Sequence, residues 1–132
     1  MSLEHIAPQQ LAQGWDAFIY ENKEIAHRIG NLVLVQKGAN SSLSDRPWSQ
    51  KRILYQALGA VSQEASERIL ADAKPSGIEF ADSTQSIVAL STHMPHLSAI
   101  GEKADDWTAT FVEVRSKRIL ELAWDHLYAW LQ

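Results

Sequence analysis

Apolar positions divide this chain into an irregular first part and a periodic second part. Across residues 1–52 no helical period is sustained, because Pro8, Gly14, Gly30, Gly38, the stretch Asn40-Ser41-Ser42 and Pro47 interrupt it. Such residues fix φ, remove a donor or bond their own backbone, so each favours a turn. One short apolar run stands out, Leu32-Val33-Leu34-Val35, between Gly30-Asn31 and Lys37-Gly38. Its branched side chains and flanking glycines predict a strand. The residues Gly38-Ala39-Asn40-Ser41-Ser42 predict a loop. Ser44 or Asp45 then suits the cap of a helix with Pro47 in its first turn, running through Trp48, Ile53, Leu54 and Leu58 to Gly59.

Residues 60–132 read as mostly helical. Ala65, Ile69 and Ala73 keep a four-residue spacing in a segment that stops at Lys74-Pro75-Ser76-Gly77. Ser83 suits the cap of a short helix through Ile87 and Leu90 that ends before Pro95. The clearest pattern is the last. From Asp105 or Asp106, which suit a helix N-terminus, apolar residues recur at Trp107, Phe111, Val114, Ile119, Leu122, Leu127 and Trp130. This predicts a long amphipathic helix, with room for one break, whose apolar stripe is widened by Trp124 and Tyr128. Core packing is its expected role, with a partner helix as the lesser alternative.

Composition changes the picture chiefly by exclusion. With 132 residues, 45% of them hydrophobic and 21% charged, the chain suits one folded domain and not a disordered segment. No apolar run approaches the length of a membrane span, and Glu4 and His5 stand where a secretion signal would be apolar. The absence of cysteine removes disulfides, thiolate metal sites and cysteine nucleophiles. A reducing cytoplasm is the simplest home for such a chain. Charge is uneven: residues 1–26 carry −3, residues 27–52 carry +4, and the remainder −5. The basic segment holds Arg28, Lys37, Arg46, Lys51 and Arg52 against Asp45. It is either a local anion site or a solvated face.

Five histidines are candidates for chemistry. His93 and His96 flank Pro95, where a loop or helix end accounts for them better than a metal pair; His126 falls on the last helix; His27 precedes the strand, to touch phosphate or stand exposed. His5 has a more specific setting, Glu4-His5-Ile6-Ala7-Pro8-Gln9, which sets a hard oxygen ligand beside a general base. Adjacent side chains on a strand point to opposite faces, so both serve one site only if the chain turns there, as Pro8 allows.

Further along come Arg28-Ile29-Gly30-Asn31-Leu32-Val33-Leu34-Val35, Gly38-Ala39-Asn40-Ser41-Ser42-Leu43-Ser44-Asp45 and Pro47-Trp48-Ser49-Gln50-Lys51-Arg52. The ordered set of an acidic-His-Ile-x-Pro segment, an Asn-Leu-x-Leu strand, a loop asparagine and a Pro-aromatic-x-x-Lys helix start closely resembles the His-Asn-His (HNH) nucleases of the ββα-metal type. Among these it looks most like the nuclease domain at the C-terminal end of GmrSD-type modification-dependent restriction enzymes. Trp107-Thr108-x-x-x-Val112-x-x-Arg115 in the last helix is similar to that family again.

The resemblance implies roles residue by residue. His5 would be the general base that activates water, and Asn31 would fix the loop that orients it. Glu4 and Asn40 would hold one divalent ion. Histidine is common at the position matching Asn40, and an all-oxygen set favours a hard ion, Mg²⁺ or Mn²⁺. Arg28, Arg46, Lys51 and Arg52 would contact DNA phosphates. The implied fold is α+β and mostly α: a small ββα-metal unit over residues 1–59 packed on a helical subdomain over residues 60–132. In such nucleases a strand leads into the acidic-His pair, yet only Met1-Ser2-Leu3 precede Glu4. That implies a very short strand or a fragment of a larger protein, with an NTP-dependent domain elsewhere. The expected activity is metal-dependent DNA cleavage in a restriction or phage-defence system, with modified bases as one potential target. The alternatives are a non-catalytic nucleic-acid-binding module and a helical interaction domain built on the tryptophan-rich last helix.

Overall fold

The computed structural model describes every residue except Lys23, Thr92, Ala104 and Asp105. Its architecture is α+β and mostly helical. Strand β1 (Ser2–His5) pairs antiparallel with β2 (Leu32–Val35) in the register Leu3↔Leu34, Glu4↔Val33 and His5↔Leu32. The strand predicted at Leu32-Val33-Leu34-Val35 therefore forms as read. Alternation puts Leu3 and Leu34 in solvent and turns Glu4, Val33 and Val35 inward.

Seven α-helices complete the described residues. These are α1 (Phe18–Glu21), α2 (Lys37–Leu43), α3 (Trp48–Leu58), α4 (Gln63–Ala73), α5 (Asp82–Leu90), α6 (Pro95–Gly101) and α7 (Ala109–Leu131). Three 3-10 turns, Ile25–His27, Ile29–Asn31 and Lys74–Ser76, join them. Gly77, at φ +81°, stops the last of these turns, where the sequence predicted a break after Ala73.

Several expectations are corrected. The loop expected at Gly38-Ala39-Asn40-Ser41-Ser42 is helix α2, because Ala39 and Leu43, four residues apart, are buried on one face. Neither Ser44 nor Asp45 caps α3; Pro47 occupies the cap position, with no side-chain cap bond. Helix α5 begins at Asp82, so Ser83 lies inside it. The last helix starts after both proposed aspartates: Thr108 is its cap, its hydroxyl accepting from the Phe111 N–H at 3.1 Å. Asp105 lies outside the described residues. Helix α7 then runs unbroken to Leu131.

The core is built around α3, whose Trp48, Leu54, Tyr55 and Leu58 are buried with Ile6, Val35, Leu97 and Trp107. Gly101 lets α6 approach α3 closely: a Cβ there would lie 2.7 Å from the Arg52 carbonyl oxygen. Trp48 and Trp107 pack with ring centroids 5.1 Å apart, drawing the start of α7 onto α3. Core packing is the role of that first half of α7 alone, where Val112 and Ser116 are buried. Beyond it Leu120, Leu122, Trp124, Leu127, Tyr128, Trp130 and Leu131 are exposed, so the expectation of core packing fails for the second half. No helix among the described residues is long and apolar enough to cross a membrane.

Candidate active site

Strand β1 ends at His5, and the chain bends at Ile6-Ala7. That bend lets two neighbouring side chains reach one place: Glu4 and His5 both line a cleft of about 790 Å³ shared with Gln9, Asn40 and Asp45. Asn40 arrives from α2, half-buried, its Nδ2 donating to Ser2 Oγ at 3.3 Å.

Asn31 lies beneath the cleft and is fully buried. Its Oδ1 accepts from the Ala7 N–H at 2.8 Å and from Trp107 Nε1 at 3.0 Å. Its Nδ2 donates to the carbonyls of Ala7 at 2.9 Å and Ala26 at 2.8 Å. Every bonding position of the carboxamide is filled, and the segment after His5 is fixed against the turn Ile25–His27. The Ile6 N–H adds a bond to the Asn31 carbonyl at 2.8 Å.

The end of this loop is clamped from α7. Arg115 Nη1 donates to the Gly30 carbonyl at 2.7 Å and to that of Leu32 at 3.3 Å. The Gly30 N–H donates to Ser116 Oγ at 2.9 Å. A Cβ at residue 30 would collide with the Val112 carbonyl and the Ser116 side chain, so glycine is required for this approach. Trp107 and Arg115, noticed in the sequence only as a pattern, thus hold Asn31 and its neighbours.

Lys51 is enclosed. Its Nζ donates to Glu4 Oε1 at 2.7 Å, to the His5 carbonyl at 2.9 Å and to the Ile6 carbonyl at 2.8 Å. All three ammonium protons are used inside the protein, and its side chain has no exposed area. The expectation that Lys51 contacts phosphate is corrected on that ground. Burial pushes the Lys51 ammonium downward and the Glu4 carboxyl upward, and the attraction between the two offsets part of each shift. Arg46 is also tied to the protein, through the Ser42 carbonyl at 2.8 Å and Thr84 Oγ1 at 3.2 Å, with its guanidinium 5.3 Å from the Phe80 ring. Arg52 is half-buried on α3, and Arg28 half-buried where it borders α7. The basic segment therefore does not present its cations as one open patch.

His5 is half-buried, and its Nε2 lies 3.2 Å from His27 Nδ1, the two rings perpendicular with centroids 5.2 Å apart. Its Nδ1 is 3.5 Å from the Gln9 amide nitrogen. Burial first, then the charges of His27 and Lys51, hold the His5 imidazole below its ordinary pKa. A lowered value keeps it neutral and able to accept a proton. The pairing with His27 was missed because 22 residues separate the two. Among the other histidines, His96 Nε2 bonds the Leu34 carbonyl at 2.6 Å, and His93 and His126 are exposed.

The oxygen donors on the cleft suit a hard cation in kind. Glu4 keeps one carboxylate oxygen not bonded to Lys51, and Asn40 brings an amide oxygen. Among the described residues no three of His, Asp, Glu or Cys converge as a metal-binding group. Waters and phosphate oxygens would have to complete the shell of any such ion.

A family model described as GmrSD restriction endonucleases, C-terminal domain, matches residues 1–122. The chain belongs to this family. No curated protein matches it well enough to name a relative. The last ten residues, with Trp124, Tyr128 and Trp130, lie beyond the match.

Proposed function

We propose that this GmrSD C-terminal domain is a metal-dependent endonuclease of the HNH type that hydrolyses DNA phosphodiester bonds. The observation that carries the reading is the meeting of His5, Glu4 and Asn40 on one cleft, with the backbone of residues 5–7 bonded by both Asn31 and Lys51. In this reading residues 1–59 form the nuclease unit and residues 60–132 support it.

His5 accepts a proton from water as that water attacks phosphorus, and the 3′ oxygen leaves. Asn31 keeps the residues after His5 in place, so the imidazole does not have to be ordered at the moment of reaction. Lys51 acts from beneath by holding the His5 and Ile6 carbonyls and one carboxylate oxygen of Glu4. Glu4 and Asn40 would hold Mg²⁺ or Mn²⁺. Such an ion, when bound, stabilises charge developing on the phosphate and the leaving oxygen. Arg28 and Arg52 are the remaining candidates for phosphate contact. DNA, with or without modified bases, is the substrate class, and any NTP-dependent activity belongs to another domain. A purely nucleic-acid-binding module is less well supported, since Lys51 and Arg46 spend their hydrogen bonds inside the fold.

The test is nicking of supercoiled plasmid with Mn²⁺ or Mg²⁺. His5→Ala is expected to lower the rate at least a hundredfold, within the range of a lost general base, while the melting temperature and salt-sensitive DNA binding stay close to wild type. Chelator should abolish cutting. Undiminished cutting by His5→Ala would remove His5 from the chemistry.

A further inference from the structure

The reading of His5 as a base leaves one neighbour without a role. His27 is exposed and 22 residues away in sequence, yet its Nδ1 meets His5 Nε2 at 3.2 Å. The meeting is prepared by the fold. Ile25 and Ala26 are buried, and the Ala26 carbonyl accepts from Asn31 Nδ2 at 2.8 Å. The same carboxamide bonds Ala7 through both its N–H and its carbonyl. One side chain therefore anchors the residue directly before His27 and the residue two beyond His5. The His27 N–H donates to the Glu24 carbonyl at 3.0 Å, which closes the 3-10 turn that carries it.

The two nitrogens of His5 have different surroundings. Gln9, an exposed residue of the cleft wall, brings its amide nitrogen to 3.5 Å from Nδ1. A carboxamide nitrogen only donates, so a bond from Gln9 pairs with the His5 tautomer whose Nδ1 carries no proton. In that tautomer the ring proton of neutral His5 is on Nε2, 3.2 Å from His27 Nδ1, which accepts it when the His27 proton is on its own Nε2. His27 is not part of the cleft wall.

We propose that His27 is a positioning residue for His5: by accepting the Nε2 proton it fixes the ring and its tautomer, and it leaves Nδ1 as the nitrogen that takes the proton of the attacking water. The logic is that of any working imidazole whose second nitrogen is held by a partner. This inference rests on the proposed nuclease reading for its consequence, but not for its geometry.

The experiment has two readouts on the full chain. The first is a long-range ¹H–¹⁵N spectrum of the histidine rings above the ordinary imidazole pKa, with His5 assigned by its absence from His5→Gln. Wild type should show His5 as a single Nε2–H tautomer, and His27→Ala should move its two nitrogen shifts toward each other as the tautomers mix. A His5 ring protonated on Nδ1 in wild type, or a spectrum unchanged in His27→Ala, overturns the proposal. The second is plasmid nicking. His27→Ala should lower kcat roughly tenfold to a hundredfold with KM little changed, the size typical of removing the partner that orients a working histidine. His27→Asn places a carboxamide oxygen where Nδ1 stood and should recover most of the rate. Wild-type rates in His27→Ala overturn the proposal, as does a loss that His27→Asn fails to recover while the fold is intact. If the wild-type chain does not cut at all, the nuclease reading fails, and the spectrum still decides the role of His27.

Discussion

The region beneath the cleft and the second half of α7 depart from the usual placement of side chains in opposite directions. Under the cleft the protein buries Glu4, Asn31 and Lys51. On α7 it exposes Trp124, Tyr128, Trp130 and Leu131. The buried polar groups repay their desolvation through fixed partners: Asn31 makes four bonds and Lys51 three, at 2.7–3.0 Å, and one of the Lys51 bonds satisfies Glu4. Of the exposed aromatics, Trp124 and Tyr128 stand against each other with ring centroids 6.2 Å apart. Hydrophobicity is therefore a poor guide to which residues matter here; the number of fixed partners is a better one.

Three substitutions sharpen that contrast. Asn31→Ala has the largest expected effect. It leaves the N–H and carbonyl of Ala7, the Ala26 carbonyl and the Trp107 N–H without their partner in a buried site. At about 1 kcal/mol or more for each orphaned group, the loss should be roughly 5 kcal/mol in a denaturant titration. Nicking should vanish with it.

Lys51→Met ranks second, with an expected loss of about 3 kcal/mol at neutral pH, because it leaves the Glu4 carboxylate buried without its cation. Burial already raises the Glu4 pKa above 4.5, and the partner that opposed the rise is gone. A carboxyl with a raised folded-state pKa favours the fold below its unfolded value and loses that contribution as pH rises. The deficit of Lys51→Met should therefore shrink as pH falls toward and below 4.5. Combining it with Glu4→Gln should recover much of the stability at neutral pH but not the nicking. A deficit that grows on acidification would contradict this account of the pair.

Trp124→Ser has the smallest expected effect despite removing the larger side chain. Trp124 is 64% exposed, so its replacement should stay within about 0.5 kcal/mol of wild type and leave nicking unchanged. A large loss of melting temperature would show that the second half of α7 packs on the domain after all.

Much of the fold was legible along the chain. Leu32-Val33-Leu34-Val35 reads as a strand from branched residues between glycines, and the spacing of Ala65, Ile69 and Ala73 reads as helix α4. The misread segment, Lys37–Leu43, is rich in glycine, asparagine and serine, which locally favour a turn. It is helical because burying Ala39 and Leu43 outweighs that preference. Lys51 was misread for a related reason. A lysine on a helix start is as compatible with phosphate as with an internal carboxylate, and only the position of β1 against α3 separates the two.

By itself, the sequence determined which residue types stand near the site and which segments are strand or helix, since turn chemistry and apolar period act between near neighbours. It also determined family membership, because an ordered set of motifs survives being read as a line. The tertiary structure alone decided that Lys51 meets Glu4 across 47 residues, that Asn31 meets Trp107 across 76, and that His5 meets His27. Those partners are chosen by how the hairpin, α3 and α7 pack, and a hydrogen bond formed across the chain leaves no local period to read.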